Sequence, residues 1–123
     1  MATTLKVTPT VVDLELVLAA DYKLTAVFKD ENGNTIDISN DDIVLRVGED
    51  RGTETLVEVT VASGSHSDPT NGETEIPIER TDTDGLDAGY YFYQIWRKYN
   101  NPVDWTPYFE GDMLLKTGQD AKP

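Results

Sequence analysis

A chain of 123 residues with 38% apolar and 27% charged side chains has the size of one domain, enough apolar material for a two-layer core, and too much of it to stay disordered. Its 23 Asp and Glu against 10 Lys and Arg leave a net charge of −13, which repels phosphate backbones and anionic headgroups and argues against nucleic acid and membranes as partners. With no cysteine, disulfides, thiolate catalysis and Cys-ligated zinc are excluded.

The acidity keeps a monomer soluble and complements a basic patch on a protein neighbour, although adaptation to a saline habitat gives the same excess. The apolar run Val11 to Ala20 is interrupted by Asp13 and Glu15 and is preceded by a single basic residue, Lys6. That is not the pattern of a signal peptide, and no stretch approaches a membrane span.

Short alternating runs recur along the chain, the mark of a sandwich or barrel. Val12, Leu14, Leu16 and Leu18 alternate with Asp13 and Glu15, and Tyr22, Leu24, Ala26 and Phe28 alternate with Lys23 and Thr25. Asp30 to Asn34 then breaks the pattern, and its Asn32-Gly33 pair predicts a two-residue hairpin. Ile36 and Ile38 form a short return. Ile43, Leu45 and Val47 make the next inward row, and Val57, Val59 and Val61 follow a charged turn around Glu49 to Thr53. A polar loop from Ser63 to Gly72 holds His66. Ile76 and Ile78 flank Pro77, which lacks an N–H and so predicts a sheet edge. One helical turn is expected within Asp82 to Ala88. Tyr90 to Tyr99 is the longest β-rich run, and Asn100 to Pro102 turn it back into Trp105 to Lys116. The expectation is one all-β domain over residues 1–123, an antiparallel sandwich of about seven to eight strands with an arm at 1–10 and a polar tail at 117–123.

Asp87, Gly89 and Tyr91 stand in the order D-x-G-x-Y, with Tyr93 two residues further on. This spacing resembles the tyrosine corner of immunoglobulin-like domains, in which the Tyr hydroxyl bonds back to upstream backbone and Tyr93 would occupy the position of the second cysteine. More widely, Leu24 to Ser39, Ile43 to Val47, Thr81 to Ile95 and Tyr108 to Leu115 resemble the immunoglobulin-like β-sandwich domains of tailed-bacteriophage virion structural proteins, such as the N-terminal domain of baseplate upper proteins. In the closing strand, Gly111, Met113 and Leu115 hold the matching positions. The likeness covers most of residues 12 to 116. It implies a structural part of a virus particle (tail, baseplate, connector or capsid surface), assembled in the host cytoplasm and bound to other virion proteins and to itself. The helical and receptor-distal parts of baseplate upper proteins have no counterpart here, so a free-standing virion module is the expectation.

Candidate chemistry is thin. His66 stands among Ser65, Ser67 and Asp68, and neighbours in sequence do not converge as a triad, so a solvated loop histidine is expected. Asp30-x-Asn32-x-Asn34 has the start of a calcium loop, but Thr35 stands where glycine is required and the later glutamate is missing, so Asp30 and Asn34 are expected to serve the turn. No phosphate-cradling glycine loop or dinucleotide fingerprint is present. Neither an enzyme, a cofactor nor a metal is expected.

The aromatic rows carry more. If Tyr91, Tyr93 and Ile95 face the core, period-two geometry turns Tyr90, Phe92 and Trp96 outward with Gln94. Tyr99, Trp105 and Tyr108 lie on the same hairpin and are expected to extend the patch. Aromatic anchors within a charged rim are typical of protein interfaces. The rival is a carbohydrate-binding or adhesion module in which Trp96, Tyr99 and Trp105 stack on sugar rings. A cover of the outer row by the N-terminal arm is the structural alternative to both.

Overall fold

The computed structural model describes residues 10–50, 54–100 and 103–117. Most of the expected arm (1–10) and tail (117–123), together with residues 51–53 of the charged turn and the turn residues Asn101 and Pro102, lie outside the described residues.

Alternation builds the larger sheet. Ile43, Leu45 and Val47 are buried in β4 (Asp41–Gly48), and Tyr91, Tyr93 and Ile95 in β7 (Gly89–Asn100). The two strands pair antiparallel with Leu45 opposite Ile95 and Val47 opposite Tyr93, so their inward rows merge into one apolar surface. β8 (Val103–Lys116) returns antiparallel to β7, and β5 (Thr55–Val61) flanks β4. On the free side of β8 run β1 (Thr10–Val11) and β2 (Leu14–Val17), both parallel to it, which completes a six-stranded sheet.

That parallel pairing departs from the antiparallel sandwich read from the sequence. After β2 the chain turns tightly at Ala19 (φ 56°), whose N–H donates to the Thr83 hydroxyl at 3.0 Å, and crosses to the other layer. The second sheet pairs β3 (Tyr22–Val27) antiparallel with β6 (Glu73–Ile78). The first strand therefore leaves its sequence neighbour and packs on the last. Pro77 sits in β6 opposite Lys23, with no described strand on its other side, so its missing N–H costs no ladder bond.

Between the layers Phe28, Ile38, Ile43, Leu45, Ile76, Tyr93, Met113 and Leu115 are fully buried. The Asp30 turn differs from a two-residue hairpin. Gly33 (φ 82°) donates its N–H to the Asp30 carbonyl, and the Asp30 carboxylate accepts from the Asn32 and Asn34 N–H groups at 2.9 Å each. The return after it is a bridge between Lys29 and Thr35 rather than a strand. The helical turn α1 (Arg80–Thr83) comes earlier than the sequence implies, because Glu79 and Asp82 form a reciprocal capping box. At the start of β7, Gly89 takes φ 148° and Tyr91 donates its hydroxyl to the Asp87 carbonyl at 2.7 Å. Strand order, layer switching and this hydrogen bond make the chain an all-β, immunoglobulin-like sandwich, with eight strands among the described residues.

The N-terminal strands are held at one point. Val12 lies over Gly111 of β8, where an added Cβ would stand 2.3 Å from the Val12 carbonyl oxygen. That carbonyl accepts the Tyr93 hydroxyl, and the Asp13 carboxylate accepts from the Asp112 N–H at 3.1 Å. Burial, together with the nearby Asp13 and Glu110 carboxylates, pushes the Tyr93 phenol up to about 12.

Candidate interaction surface

Pairing register decides which side chains share the outer side of the larger sheet. On β7 the outward row is Tyr90, Phe92, Gln94, Trp96 and Lys98. Gly48, Arg46, Val44 and Asp42 of β4 stand beside the last four, and Leu114, Asp112, Glu110, Pro107 and Trp105 of β8 stand beside all five on the other side. Tyr90 is 71% exposed, while Phe92, Trp96 and Trp105 are half-buried. Val44, though on this side, is buried opposite Trp96. The surface thus carries a thin apolar layer of its own.

Its centre is a pair of indoles. Trp96 and Trp105 meet edge to face, with centroids 6.3 Å apart and planes at 77°. The Arg46 guanidinium lies 4.7 Å and the Lys98 ammonium 5.3 Å from the Trp105 ring centre, within cation–π range. Arg46 also binds Glu58 at 2.8 Å. Trp96 Nε1 is buried with no hydrogen-bond partner among the described residues, an arrangement that costs stability. Beside Phe92, the bare Gly48 leaves a hollow of about 150 Å³, walled by Arg46, Thr55, Phe92, Gln94 and Trp96.

Tyr90, Phe92, Trp96 and Trp105 therefore share one face. Tyr99 and Tyr108 do not, and the expected patch is smaller on that account. Tyr99 follows the inward parity of Tyr91 to Arg97. Tyr108 is turned by a β-bulge: Ile95 pairs with Phe109 and Trp96 with Pro107, leaving Tyr108 as the extra residue. Consecutive Tyr108 and Phe109 thus both pack edge-on against Phe28, at 5.2 and 5.4 Å. Both tyrosine hydroxyls accept from Arg97, at 3.2 and 3.3 Å, and Arg97 binds the buried Asp41 carboxylate at 2.6 Å. This cluster closes one end of the core. Burial and a hydrogen bond with Tyr99 raise the Tyr108 phenol.

His66 is not a solvated loop residue. Its Nε2 donates to the Asp41 carbonyl at 2.7 Å, and its Nδ1 lies 2.8 Å from the hydroxyl of the fully buried Thr74. It pins the long loop to both sheets. A shallow groove of about 390 Å³ runs between the β5 end and the β3–β6 sheet, lined by Lys23, Thr60, Ala62, Ser65, Ser67 and Glu75. Among the described residues no group of three or more His, Cys, Asp or Glu side chains is placed to hold a metal ion.

No family model and no curated protein matches this sequence. Among solved structures the chain is similar to a chain in the crystal structure of ICOS in complex with ICOS-L and an anti-ICOS-L VNAR domain. The TM-score is 0.42 at 7% identity over 89% of this chain, which spans 56% of that one. It is also similar to a structure from photo-crosslinking analyses of multimeric cell-adhesive interactions of VGSC beta subunits, with TM-score 0.39 and 13% identity over 92% of this chain and 100% of that one. The fold assignment rests on strand order and the Tyr91 hydrogen bond.

Proposed function

We propose that this protein is a structural module that works by protein–protein assembly, with itself and with other components of a virus particle, and not by catalysis. The observation that carries the assembly reading is the outer aromatic row: Tyr90, Phe92, Trp96 and Trp105 occupy one sheet face outside the core, with Tyr90 71% exposed. Aromatic residues at the centre of a face with acids at its margin supply the anchors that dominate binding energy at interfaces. The virion setting rests on the sequence likeness to phage immunoglobulin-like domains alone. A sugar-binding role is disfavoured by the indole geometry, since an edge-on pair with two cations near the Trp105 ring offers no flat platform for stacking.

Light scattering after size separation, over a concentration series, tests the assembly reading. A defined oligomer that is lost in Trp96→Glu, with the circular dichroism of the sandwich retained, is expected. A strict monomer whose tryptophan fluorescence is freely quenched by acrylamide would refute it.

A further inference from the structure

Two Asn-Gly pairs occur in the sequence, Asn32-Gly33 and Asn71-Gly72, and the fold treats them in opposite ways. We infer that Asn32 is a site of spontaneous covalent modification, losing its side-chain amide to give aspartate and isoaspartate at a pace set by Asp30, and that Asn71 is held against the same reaction. The inference is independent of the assembly reading.

The chemistry needs only the chain and water. The Gly33 backbone nitrogen attacks Cγ of Asn32, and the new carbon–nitrogen bond closes a cyclic imide. The bond from Cγ to Nδ2 breaks, and the departing nitrogen takes the proton given up by the Gly33 amide and leaves as ammonia. Water then opens the imide. Opening at Cγ leaves ordinary aspartate, and opening at the main-chain carbonyl carbon leaves the backbone running through the former side chain, as isoaspartate. Either product adds a negative charge beside Asp30 and Glu31. A following glycine favours the attack because it has no Cβ to shield its nitrogen.

The Asp30 turn leaves this reaction open. Asn32 and Gly33 are both exposed, and the Asn32 side chain has no hydrogen-bond partner among the described residues. A Cβ at Gly33 would meet nothing within 4 Å, so no neighbour confines the backbone as the ring closes. The restraint comes from Asp30. Its carbonyl accepts the Gly33 N–H at 3.0 Å, and its carboxylate accepts the N–H groups of Asn32 and Asn34 at 2.9 Å each. The Gly33 nitrogen must leave that carbonyl before it attacks, and in an exposed turn water replaces each bond that opens.

Asn71 stands in a closed site. Its Nδ2, the group that would leave, donates to Asp68 Oδ2 at 3.0 Å. Gly72 is buried, donates its N–H to the Pro69 carbonyl at 3.0 Å, and accepts the N–H of the fully buried Phe28 at 2.8 Å. A Cβ there would stand 2.6 Å from the Phe28 carbonyl oxygen and 2.7 Å from that of Ile36. Backbone therefore crowds this glycine, and to free it the fold must break a bond that water cannot replace in place.

Peptide mapping by mass spectrometry, with aspartyl and isoaspartyl peptides separated, tests the inference on the whole chain held at neutral pH and sampled over weeks. In the folded protein Asn32 is expected to convert at least about tenfold faster than Asn71, and in concentrated urea the two pairs are expected to convert within about threefold of each other. Asp30→Ala, shown by circular dichroism to keep the fold, removes the carboxylate clamp without touching either pair. It is expected to speed conversion at Asn32 at least about threefold and to leave Asn71 unchanged. Asn71 converting as fast as Asn32 in the folded protein, Asn32 keeping its amide there, or Asp30→Ala converting no faster than the parent would each overturn the inference.

Discussion

Gly111→Ala concentrates the fold's dependence on one close approach. The added β-carbon stands 2.3 Å from the Val12 carbonyl oxygen, 2.9 Å from its carbon and 3.1 Å from Asp13 Oδ1. Two of those three atoms are backbone, so the β1–β2 segment must retreat by about 1 Å to reach an ordinary carbon–oxygen contact. The retreat strains or breaks the Tyr93 hydroxyl bond to Val12 and the Asp112 N–H bond to Asp13, each worth about 1 kcal/mol. Overpacking adds about 1–3 kcal/mol. The sum is about 4 kcal/mol, which for a chain of this length lowers the thermal midpoint by more than about 10 °C. Thermal unfolding followed by circular dichroism reads it directly. A double-mutant cycle with Tyr93→Phe adds specificity: the two losses are expected to be less than additive by about 1 kcal/mol, because Gly111→Ala already removes the bond that Tyr93→Phe deletes. A Gly111→Ala protein melting within about 2 °C of the parent would refute the reasoning, since the N-terminal strands would then not be clamped at this point.

Tyr93 also sets an alkaline limit. Its phenol is raised from 10.0 to about 12 in the fold, so the folded state holds the proton more tightly than the unfolded chain does. The resulting stabilisation is fully present below pH 10 and disappears as pH rises to about 12, a loss of about 2–3 kcal/mol. Urea unfolding between pH 8 and 12 is expected to show this decline and to show it flattened in Tyr93→Phe; parallel curves would contradict the assignment. At the opposite end of the core, Arg97→Met leaves the Asp41 carboxylate, itself 9% exposed, without its cation. That is expected to cost about 3 kcal/mol, with part recovered by Asp41→Asn in the same chain. A shift in urea midpoint equivalent to less than about 1 kcal/mol would show that the pair is not structural.

Much of the layout was legible because alternation reports sidedness. The inward rows of β4 and β7, the Pro77 edge and the outward turn of Tyr90, Phe92 and Trp96 all follow from a period of two. Alternation carries no information about which strand is the neighbour. The parallel pairing of β1 and β2 with β8 was therefore invisible, as was the contact that requires Gly111 to be glycine. A bulge is likewise silent: one extra residue in β8 turned Tyr108 to the core side and removed it from the expected patch. The anchoring of His66 is likewise absent from the loop's own sequence, because its partners are Thr74 of β6 and the Asp41 carbonyl of β4, which only folding brings to it. The helical turn starts at Arg80, two residues before Asp82, because Glu79 and Asp82 cap each other, and the three-residue spacing of these two acids is a start signal that the sequence carries.

The central claim is that the outer aromatic face is an assembly surface, and the molar mass of the purified chain over a concentration series tests it most directly. The account predicts a defined oligomer that dissociates in Trp96→Glu while the fold is kept. A concentration-independent monomer, with Tyr90 and the two indoles open to solvent and quencher, would contradict it.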